Sequence, residues 1–442
     1  MSPLLIRALG PGRTSKAGRS AGGLVLVLAA TVLAACAPTK AASTSTEPAQ
    51  PATSRAWFTS WASSQQGVSS TSLSDQSVRM ISHLSQGGDA LRVRVQNTFG
   101  QTSLTVNAAT VAHSDGSGPA TEDKPVPVTF AGRKTVVVPA GGEVWSDPAR
   151  IRTAAQDDVA VSLSVSGTVA PGIHNSAFRT NYLTPPGSGD HTADASGAPF
   201  TETTGSTYLV SAVDVHNPRL RGTLVAYGSS VVDGVGSTNC GPGCERPGAN
   251  LRWTDDVARR ITRELPANQR FTVANAGIAG TTSAATCSRT DPALGGLEGV
   301  NRLERDVLAL HGVTGVLYYY GTNDLVAGCG AGQILDSYRD VFRRLHAAGI
   351  KVYVTPITPR PGYTDQNNKD RNTVGLFVSK WNNCAGTCDG VLPFDQVLRD
   401  PLKPNSIHPS YDVGDGIHAN ISGQEALADI ISLPMLAASA SP

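Results

Sequence analysis

The chain has 442 residues, a formal net charge of +1 and a hydrophobic fraction of 40%. This length predicts two or three domains, and this hydrophobic fraction suits a globular protein that buries a sizeable core. The near-zero net charge gives no reason to expect a nucleic-acid partner, and none is predicted. The 46 glycines and 28 prolines indicate many turns and much β structure.

Residues 1–36 have the pattern of an export signal. Basic side chains precede a short apolar run at 22–35, which is too short to span a membrane comfortably. The run ends in LAAC, residues 33–36, which resembles the lipobox of bacterial lipoproteins. The resemblance implies cleavage before Cys36, a lipid on its sulfur and a location outside the cytoplasm. The alternative is an ordinary secreted protein in which Cys36 has no role.

The next two segments differ in composition and in the periodicity of their hydrophobic residues. Residues 37–54 are rich in Ala, Ser, Thr and Pro and are predicted to be a flexible tether. From 55 to 218 the hydrophobic pattern has a period of two, as in DDVAVSLSVSG at 157–167. Arg92 and Arg94 alternate with apolar residues and are expected to point outward. No convincing helical stretch interrupts the pattern, so 55–218 is predicted to be an antiparallel β-sandwich or jelly-roll domain.

From 219 to 442 strands alternate with helices. Buried-type strands are predicted at 221–228, 271–277, 315–321 and 351–357, and helices at 249–265, 297–310, 332–349, 371–382 and 422–433. Ser422 is predicted to start the last helix. This alternation predicts an α/β domain with a doubly wound parallel sheet, and ligands of such sheets bind at the carboxyl ends of the strands.

Polar or glycine-containing segments lie at those ends. YGSSVVDG (227–234), NAGIAG (275–280) and YGTND (320–324) follow three strands, and DGIH (415–418) precedes the last helix. If these segments converge on one edge of the sheet, they bring together the groups needed for acyl transfer.

The predicted chemistry needs a nucleophile, a base and an oxyanion site. A serine hydroxyl is a weak nucleophile until a base takes its proton, and His418 serves if Asp415 holds its other ring nitrogen. Negative charge on the carbonyl oxygen then requires waiting hydrogen-bond donors. The N–H groups of Ser230 and Gly280 and the side-chain amide of Asn323 fit that requirement.

At these residues the chain resembles the SGNH (GDSL-type) hydrolase family, which is named for a Ser, a Gly, an Asn and a His in separate blocks. GSSVVDG stands where the family has G-D-S-[LI]-x-D-G, and NAGIAG, GTND and DGIH match later blocks in order. The resemblance covers residues 221–435 and implies serine esterase activity without a cofactor or metal. It implies roles for Ser230 (nucleophile), Gly280 and Asn323 (oxyanion hole), and Asp415 and His418 (acid and base).

Ser229 is a departure from the family pattern, because the family has Asp before the nucleophile. We expect the change to alter local hydrogen bonding without altering the mechanism. Ser229 is also the rival nucleophile, and Asp412 is an alternative partner for the histidine. His408 lacks an acid three residues before it and is interpreted as part of the surface or pocket rim.

Two other hydrolase classes fit less well. An α/β-hydrolase elbow would require the second glycine of G-x-S-x-G, which GSSVV lacks. A metal site built from His408, Asp412, Asp415 and His418 would lack the usual zinc-binding spacing and leave Ser230 and Asn323 unexplained.

The front half has a resemblance of its own. WFTSWASS (57–64), LRVRVQNTFG (91–100) and HNSAFRTNYL (174–183) resemble the β-rich front domain of a secreted actinobacterial branch of the same family. The resemblance implies an accessory domain beside the catalytic one and assigns no site residues to it.

Six cysteines remain besides Cys36, and an even number outside the cytoplasm favours disulfides. The two C-x3-C pairs also resemble half-sites of a zinc ribbon, although their spacing is not C-x2-C. Fifteen pairings are possible. We favour Cys240–Cys244, Cys384–Cys388 and Cys287–Cys329.

Together these observations predict a lipid-anchored, extracytoplasmic serine esterase, monomeric and cofactor-free. It would act on short acyl esters, such as O-acetyl groups on a polysaccharide, and meet the membrane only through its anchor. Two alternatives stay open: an esterase of lipid esters, and a non-catalytic envelope-binding lipoprotein, which the Ser229 departure supports.

Overall fold

The structure, a computed structural model, describes residues 56–287 and 297–439. The predicted export signal, the lipidation candidate Cys36 and the tether at 37–54 lie outside these residues. Within the described ranges, no helix is both long enough and apolar enough to cross a membrane.

The first half of the described chain consists of short and medium-length strands. These are β1 (Trp57–Ala62), β2 (Gly67–Val68), β3 (Leu73–His83), β4 (Leu91–Gln96), β5 (Leu104–His113), β6 (Val126–Val128), β7 (Val136–Val138), β8 (Glu143–Trp145), β9 (Asp158–Val169), β10 (Gly172–His174), β11 (Asn181–Leu183), β12 (Glu202–Thr204), β13 (Thr207–Tyr208) and β14 (Val210–His216).

These strands form antiparallel sheets, two of which make a sandwich. One sheet has the order β1-β14-β4-β8, and the other has the order β12-β11-β3-β9-β5-β6, with β7 beside β5. Val93 and Val213 of the first sheet share one buried core with Val111 and Val161 of the second. A small third sheet has the order β13-β10-β2. The predicted antiparallel, β-rich front half is confirmed.

The expectation that Arg94 points outward is wrong. Only 1% of its surface is exposed. Its Nε donates to Ser211 Oγ at 2.8 Å, and its Nη1 donates to the carbonyl oxygen of Arg305 at 3.2 Å. Arg305 belongs to the second half of the chain, which therefore covers this face of the sheet. An alternating pattern identifies the two faces of a strand but does not reveal what packs against each face.

The second half alternates strands with helices. Its strands are β15 (Thr223–Gly228), β16 (Asn239–Gly241), β17 (Cys244–Glu245), β18 (Thr272–Gly277), β19 (Val313–Tyr319), β20 (Lys351–Val354) and β21 (Gly390–Val391). Its α-helices are α1 (Ser230–Asp233), α2 (Trp253–Glu264), α3 (Gly299–Leu303), α4 (Thr322–Val326), α5 (Ala331–Ala347), α6 (Asp365–Ser379), α7 (Phe394–Leu398), α8 (Ile421–Asp429) and α9 (Leu433–Ser439). One π-helical turn, Glu304–Leu308, continues α3.

Five of these strands form a parallel sheet with the order β18-β15-β19-β20-β21. The side chains of successive residues of β15 lie on opposite faces of the sheet. Leu224 and Ala226 join a core cluster that contains residues of α2 and α8, whereas Val225 and Tyr227 join a cluster that contains residues of α3, α5 and α6. Helices therefore cover both faces, and the predicted doubly wound parallel sheet is confirmed.

Three local features differ from the sequence predictions. Ser422 does not start the last long helix, because Asn420 is its cap and accepts a hydrogen bond from the N–H of Gly423 at 3.0 Å. Helix α6 begins at Asp365, where Thr364 Oγ1 accepts from the N–H of Asn367 at 3.1 Å. Strand β21 was not predicted, since two residues carry too little pattern to be recognised.

A buried arginine fastens two strand ends of the parallel sheet. Arg302 Nη2 donates to the carbonyl oxygen of Gly228 at 2.8 Å, and Nη1 donates to that of Ala276 at 2.7 Å. These carbonyls lie at the carboxyl ends of β15 and β18. Nη1 also lies 2.9 Å from Asp306, and neither side chain of this ion pair is exposed.

We expect Arg302→Met to lower the free energy of unfolding by about 3 kcal/mol or more, because it leaves buried carbonyls and a buried carboxylate without their partner. Arg339→Met is the matched control, since the Arg339–Asp336 pair is 49% and 78% exposed and should contribute less than about 1 kcal/mol. Urea unfolding followed by circular dichroism measures both. Equal losses of stability in the two variants would contradict the assigned role of Arg302.

Candidate active site

The predicted site segments leave the parallel sheet at neighbouring strand ends. Strand β15 lies between β18 and β19, and Gly228 at its end is in register with Gly277 and with Tyr319. Ser230 follows β15, Gly280 follows β18, and Asn323 lies in α4 after β19. The convergence follows from parallel pairing, because parallel strands end at the same edge.

Ser230 is the first residue of the short helix α1, at a tight turn after β15. The turn requires glycine at position 228, where a Cβ atom would lie 2.3 Å from the carbonyl oxygen of Tyr319. Ser230 is 7% exposed. The neighbouring Ser229 is 1% exposed, and its Oγ has no hydrogen-bond partner. Of the two serines, only Ser230 contacts the histidine described next.

Three side chains form one continuous hydrogen-bonded chain. Ser230 Oγ lies 2.8 Å from Nε2 of His418, and Nδ1 of the same ring lies 2.6 Å from Asp415 Oδ2. Because a carboxylate only accepts hydrogen bonds, Nδ1 carries the proton when the ring is neutral. Nε2 is then free to accept the hydroxyl proton of Ser230. This is the arrangement required for a serine to be deprotonated as it attacks.

Asp415 is held as a carboxylate by its surroundings. Burial acts to raise its pKa, but hydrogen bonds from the His418 ring and from the N–H groups of His418 and Ile417 outweigh burial. The net result is a pKa below the usual range for aspartate. Asp415 therefore stays ionised at neutral pH and can stabilise a positive charge on the imidazole.

Asp412 and His408, the rivals considered from the sequence, have other contacts. Asp412 Oδ1 accepts from the N–H groups of Gly414 and Gly416, each at 2.9 Å, so it shapes the loop that carries Asp415. His408 Nδ1 accepts from the N–H of Ser410 at 3.2 Å. Among the described residues, no group of three or more His, Cys, Asp or Glu is arranged to hold a metal ion.

The other two predicted oxyanion residues lie on adjacent segments, Gly280 in the loop after β18 and Asn323 in α4. Gly280 has a φ of +81°, and a Cβ atom built there would lie more than 4 Å from every atom of the described residues beyond its chain neighbours. Asn323 is 9% exposed, and its Nδ2 donates to the carbonyl oxygen of Thr281 at 2.9 Å. A side-chain amide carries two N–H bonds, so this contact fixes the orientation of the group and leaves one hydrogen for a ligand.

A buried carboxylate joins these loops. Asp324 accepts from the N–H of Ser283 at 3.0 Å and from that of Ala284 at 2.9 Å. Its burial raises its pKa even though these N–H groups favour the charged form. The Cys287–Cys329 disulfide connects the same two loops a short distance further along. The loop of Gly280 is therefore tied to the helix of Asn323 by several independent contacts.

All six cysteines of the described region are paired. The disulfides are Cys240–Cys244, Cys287–Cys329 and Cys384–Cys388. This is the pairing that we favoured from the sequence, and it leaves no cysteine ligands for a zinc ribbon.

No sequence pattern predicted the connection between the front half and the turn that carries Ser230. Asp233, at the end of α1, accepts hydrogen bonds from Ala279 N–H at 3.1 Å and from His174 Nε2 at 3.0 Å. His174 lies on β10, 59 residues earlier in the chain. A contact between residues this far apart leaves no periodicity or spacing signal.

The family is identified by a direct match. Residues 226–426 match the model of the GDSL-like lipase/acylhydrolase family. This segment is a GDSL-like acylhydrolase domain, and the protein that contains it is a serine ester hydrolase. The match excludes the front half, so its kinship with an actinobacterial branch and its accessory role stay predictions. No curated protein matches the chain.

The chain is also similar to several solved structures, some of which are described as esterases. The chain is similar to Est24, a carbohydrate acetylesterase from Sinorhizobium meliloti, with 18% identity over 49% of this chain and 99% of that one, and a TM-score of 0.37. It is similar to an aryl esterase from M. smegmatis, with 17% identity over 47% of this chain and 95% of that one, and a TM-score of 0.36. TesA shares 21% identity over 48% of this chain and 97% of its own, with a TM-score of 0.35.

Asp415 and Asp412 have different contacts, so replacing each carboxylate with an amide should have different effects on the rate. Asp415→Asn should lower kcat by about four orders of magnitude, because the amide imposes the wrong ring tautomer on His418. Asp412→Asn should lower kcat by less than about tenfold, because Asp412 touches only backbone N–H groups of the loop. Steady-state hydrolysis of p-nitrophenyl acetate measures both. A larger loss in the Asp412 variant would reverse the assignment of the orienting acid.

Proposed function

We propose that the protein is an extracytoplasmic serine esterase that removes short acyl groups, chiefly O-acetyl groups, through a Ser230–His418–Asp415 triad. The single observation that carries this proposal is the continuous chain of contacts from Ser230 Oγ through the His418 ring to Asp415. A non-catalytic binding protein would have no need to keep these three groups aligned. The Ser229 departure from the family pattern leaves this alignment intact.

The proposed reaction has two steps. Ser230 Oγ bonds to the ester carbonyl carbon while its proton moves to Nε2 of His418. The tetrahedral intermediate collapses, the C–O bond to the alcohol breaks, and the imidazolium returns the proton to the departing alcohol. Water then attacks the acyl-enzyme with His418 again acting as base, which releases the acid and restores the serine.

Three donors would stabilise the oxyanion in both steps. They are the N–H of Ser230, the N–H of Gly280 and the free hydrogen of the Asn323 amide. The open space around Gly280 allows a carbonyl oxygen to approach its N–H. The contact from Asn323 to Thr281 restrains the amide before substrate arrives, so little reorganisation is needed during the reaction.

We infer a polysaccharide as the alcohol part of the ester from the solvent exposure of the triad side chains. The side chain of Asp415 is 41% exposed and that of His418 is 15% exposed. Because the side chains of Asp415 and His418 are partly exposed, Ser230 beside them can reach an acyl group that projects from a large polysaccharide. Lipid esters are the second substrate class, and they would favour longer acyl chains.

The mutation that tests the triad is Ser230→Ala. It should lower kcat for p-nitrophenyl acetate by about four to six orders of magnitude, because it removes the hydroxyl that contacts Nε2 of His418. Ser229→Ala is the matched control and should retain activity within about tenfold, since its hydroxyl has no hydrogen-bond partner to lose. Equal activity of wild type and Ser230→Ala would refute the triad, and an inactive wild type would favour the binding-protein alternative.

The same assay defines the acyl group when p-nitrophenyl esters of increasing length are compared. We expect kcat/KM to be highest for acetate and to fall as the chain lengthens, and we expect acetate release from acetylated glycans. A maximum at eight carbons or more would favour the lipid-ester alternative.

We further propose that the mature protein begins at Cys36 and is anchored through a lipid on its sulfur. The support is the LAAC sequence at the end of the apolar run. Labelling of cells with radioactive palmitate should mark the wild type, and Cys36→Ala should abolish both the label and the membrane association. Retention of the label in that variant would contradict the anchor.

A further inference from the structure

A histidine of the front half reaches the turn that carries the nucleophile. His174, in β10, has a side chain that is 7% exposed, and its Nε2 lies 3.0 Å from Oδ1 of Asp233, whose side chain is 3% exposed. Asp233 ends the four-residue helix α1 that Ser230 begins. The contact therefore joins the β-rich half of the chain to the element that presents the nucleophile.

The hydrogen-bond partners determine the charge on this ring. Nδ1 of His174 lies 2.8 Å from the carbonyl oxygen of Ser64, and Nε2 faces a carboxylate oxygen. Both partners are acceptors, so both ring nitrogens carry hydrogens and the ring is an imidazolium. Burial opposes this charge, but the Asp233 carboxylate outweighs burial and raises the pKa of His174. A buried ion pair thus links the two halves.

The second oxygen of Asp233 extends the link to the oxyanion loop. Asp233 Oδ2 accepts from the N–H of Ala279 at 3.1 Å, and Ala279 directly precedes Gly280. One carboxylate thus fixes the distance between the Ser230 turn and the Gly280 loop. Loss of the His174 contact would leave one oxygen of this buried carboxylate without its partner. Rotation of the carboxylate would then move both segments, because its two oxygens hold them.

Arg252 adds a second connection at the same place. Its Nε donates to the carbonyl oxygen of Asp233 at 2.9 Å, and its Nη2 donates to that of Ala177 in the front half at 2.8 Å. A cavity of about 50 Å³ beside these groups is lined by residues from both halves of the chain. This space is large enough for water to reach Asp233 if the His174 contact is lost.

We propose that His174 is a positioning residue for the esterase reaction, so that the β-rich half is part of the catalytic machinery and not only an accessory domain. His174 holds Asp233 in the rotamer that sets Ser230 and the Gly280 N–H at the separation required by the oxyanion. It touches neither substrate nor the reacting atoms. The inference rests on the proposed function, since it assumes that Ser230 is the nucleophile.

Two isosteric variants separate positioning from folding. His174→Gln keeps a neutral hydrogen-bond donor for Asp233, whereas His174→Met fills a similar volume without such a donor. We expect His174→Met to lower kcat by about 10- to 100-fold with KM changed less than threefold, because a small displacement of reacting groups has effects of this size. We expect His174→Gln to stay within about threefold of wild type.

The matched control is His83→Met. His83 is also a histidine of the β-rich half that lies against a carboxylate, but its hydrogen bonds, with Asp158 at 2.7 Å and Gln156 at 3.1 Å, are made within that half. His83→Met should lower the free energy of unfolding without changing kcat per titrated active site.

The experiment measures p-nitrophenyl acetate hydrolysis after active-site titration with diethyl p-nitrophenyl phosphate, which phosphorylates accessible nucleophilic serines. Dividing the rate by the titrated sites removes any effect of a reduced folded fraction, so a poorly folding variant still gives an answer. A per-site kcat of His174→Met within threefold of wild type, or an equal loss in the Met and Gln variants, overturns the proposal. Failure of the proposed function is distinct, because wild type would then not be titrated or Ser230→Ala would remain active.

Discussion

The in-register parallel pairing of β15 with β18 and β19 is the constraint on which the site depends. It places the chain exits after Gly228, Gly277 and Tyr319 side by side at one edge of the sheet. Three segments that are tens of residues apart along the chain therefore lie close together in space. Arg302 reinforces this edge, because one guanidinium group binds the terminal carbonyls of two of these strands.

Beyond the sheet, buried carboxylates connect the loops that carry the reacting groups. Asp324 accepts from two N–H groups of the loop that follows Gly280, and Asp233 accepts from the residue before Gly280. Neither acid contacts the His418 ring, which has Asp415 as its partner. The site thus divides its acids between one that contacts the His418 ring and two that hold backbone in place.

The two halves of the chain meet through charged groups that are removed from solvent. Arg94 of the front sheet donates to the carbonyl of Arg305, and His174 pairs with Asp233 at the end of α1. Charged groups such as these are costly to bury unless each is paired and hydrogen-bonded. The outward prediction for Arg94 was wrong for this reason: the polar positions of the strand do face away from the sandwich core, but toward the second half and not toward water.

Much of the architecture could be read from local pattern. Period-two alternation predicted the antiparallel half, and the strand–helix alternation predicted the parallel sheet, because both patterns report burial along a single element. Four short segments supplied Ser230, Gly280, Asn323, Asp415 and His418 as candidates, since their residue types and order suit acyl transfer. The cap of α8 and the strand β21 were missed, because caps depend on the local backbone and a two-residue strand has no period.

The sequence by itself determined most of the elements and the residue types of the candidate site, because these depend on neighbours along the chain. It favoured one cysteine pairing without determining it, since Cys287 and Cys329 are 42 residues apart. Only the tertiary structure decided that Ser230 and not Ser229 contacts His418, that Asp415 and not Asp412 orients it, and that His174 reaches Asp233. These choices depend on rotamers and on distances between segments far apart in the chain. Such distances are fixed by packing, to which every element contributes.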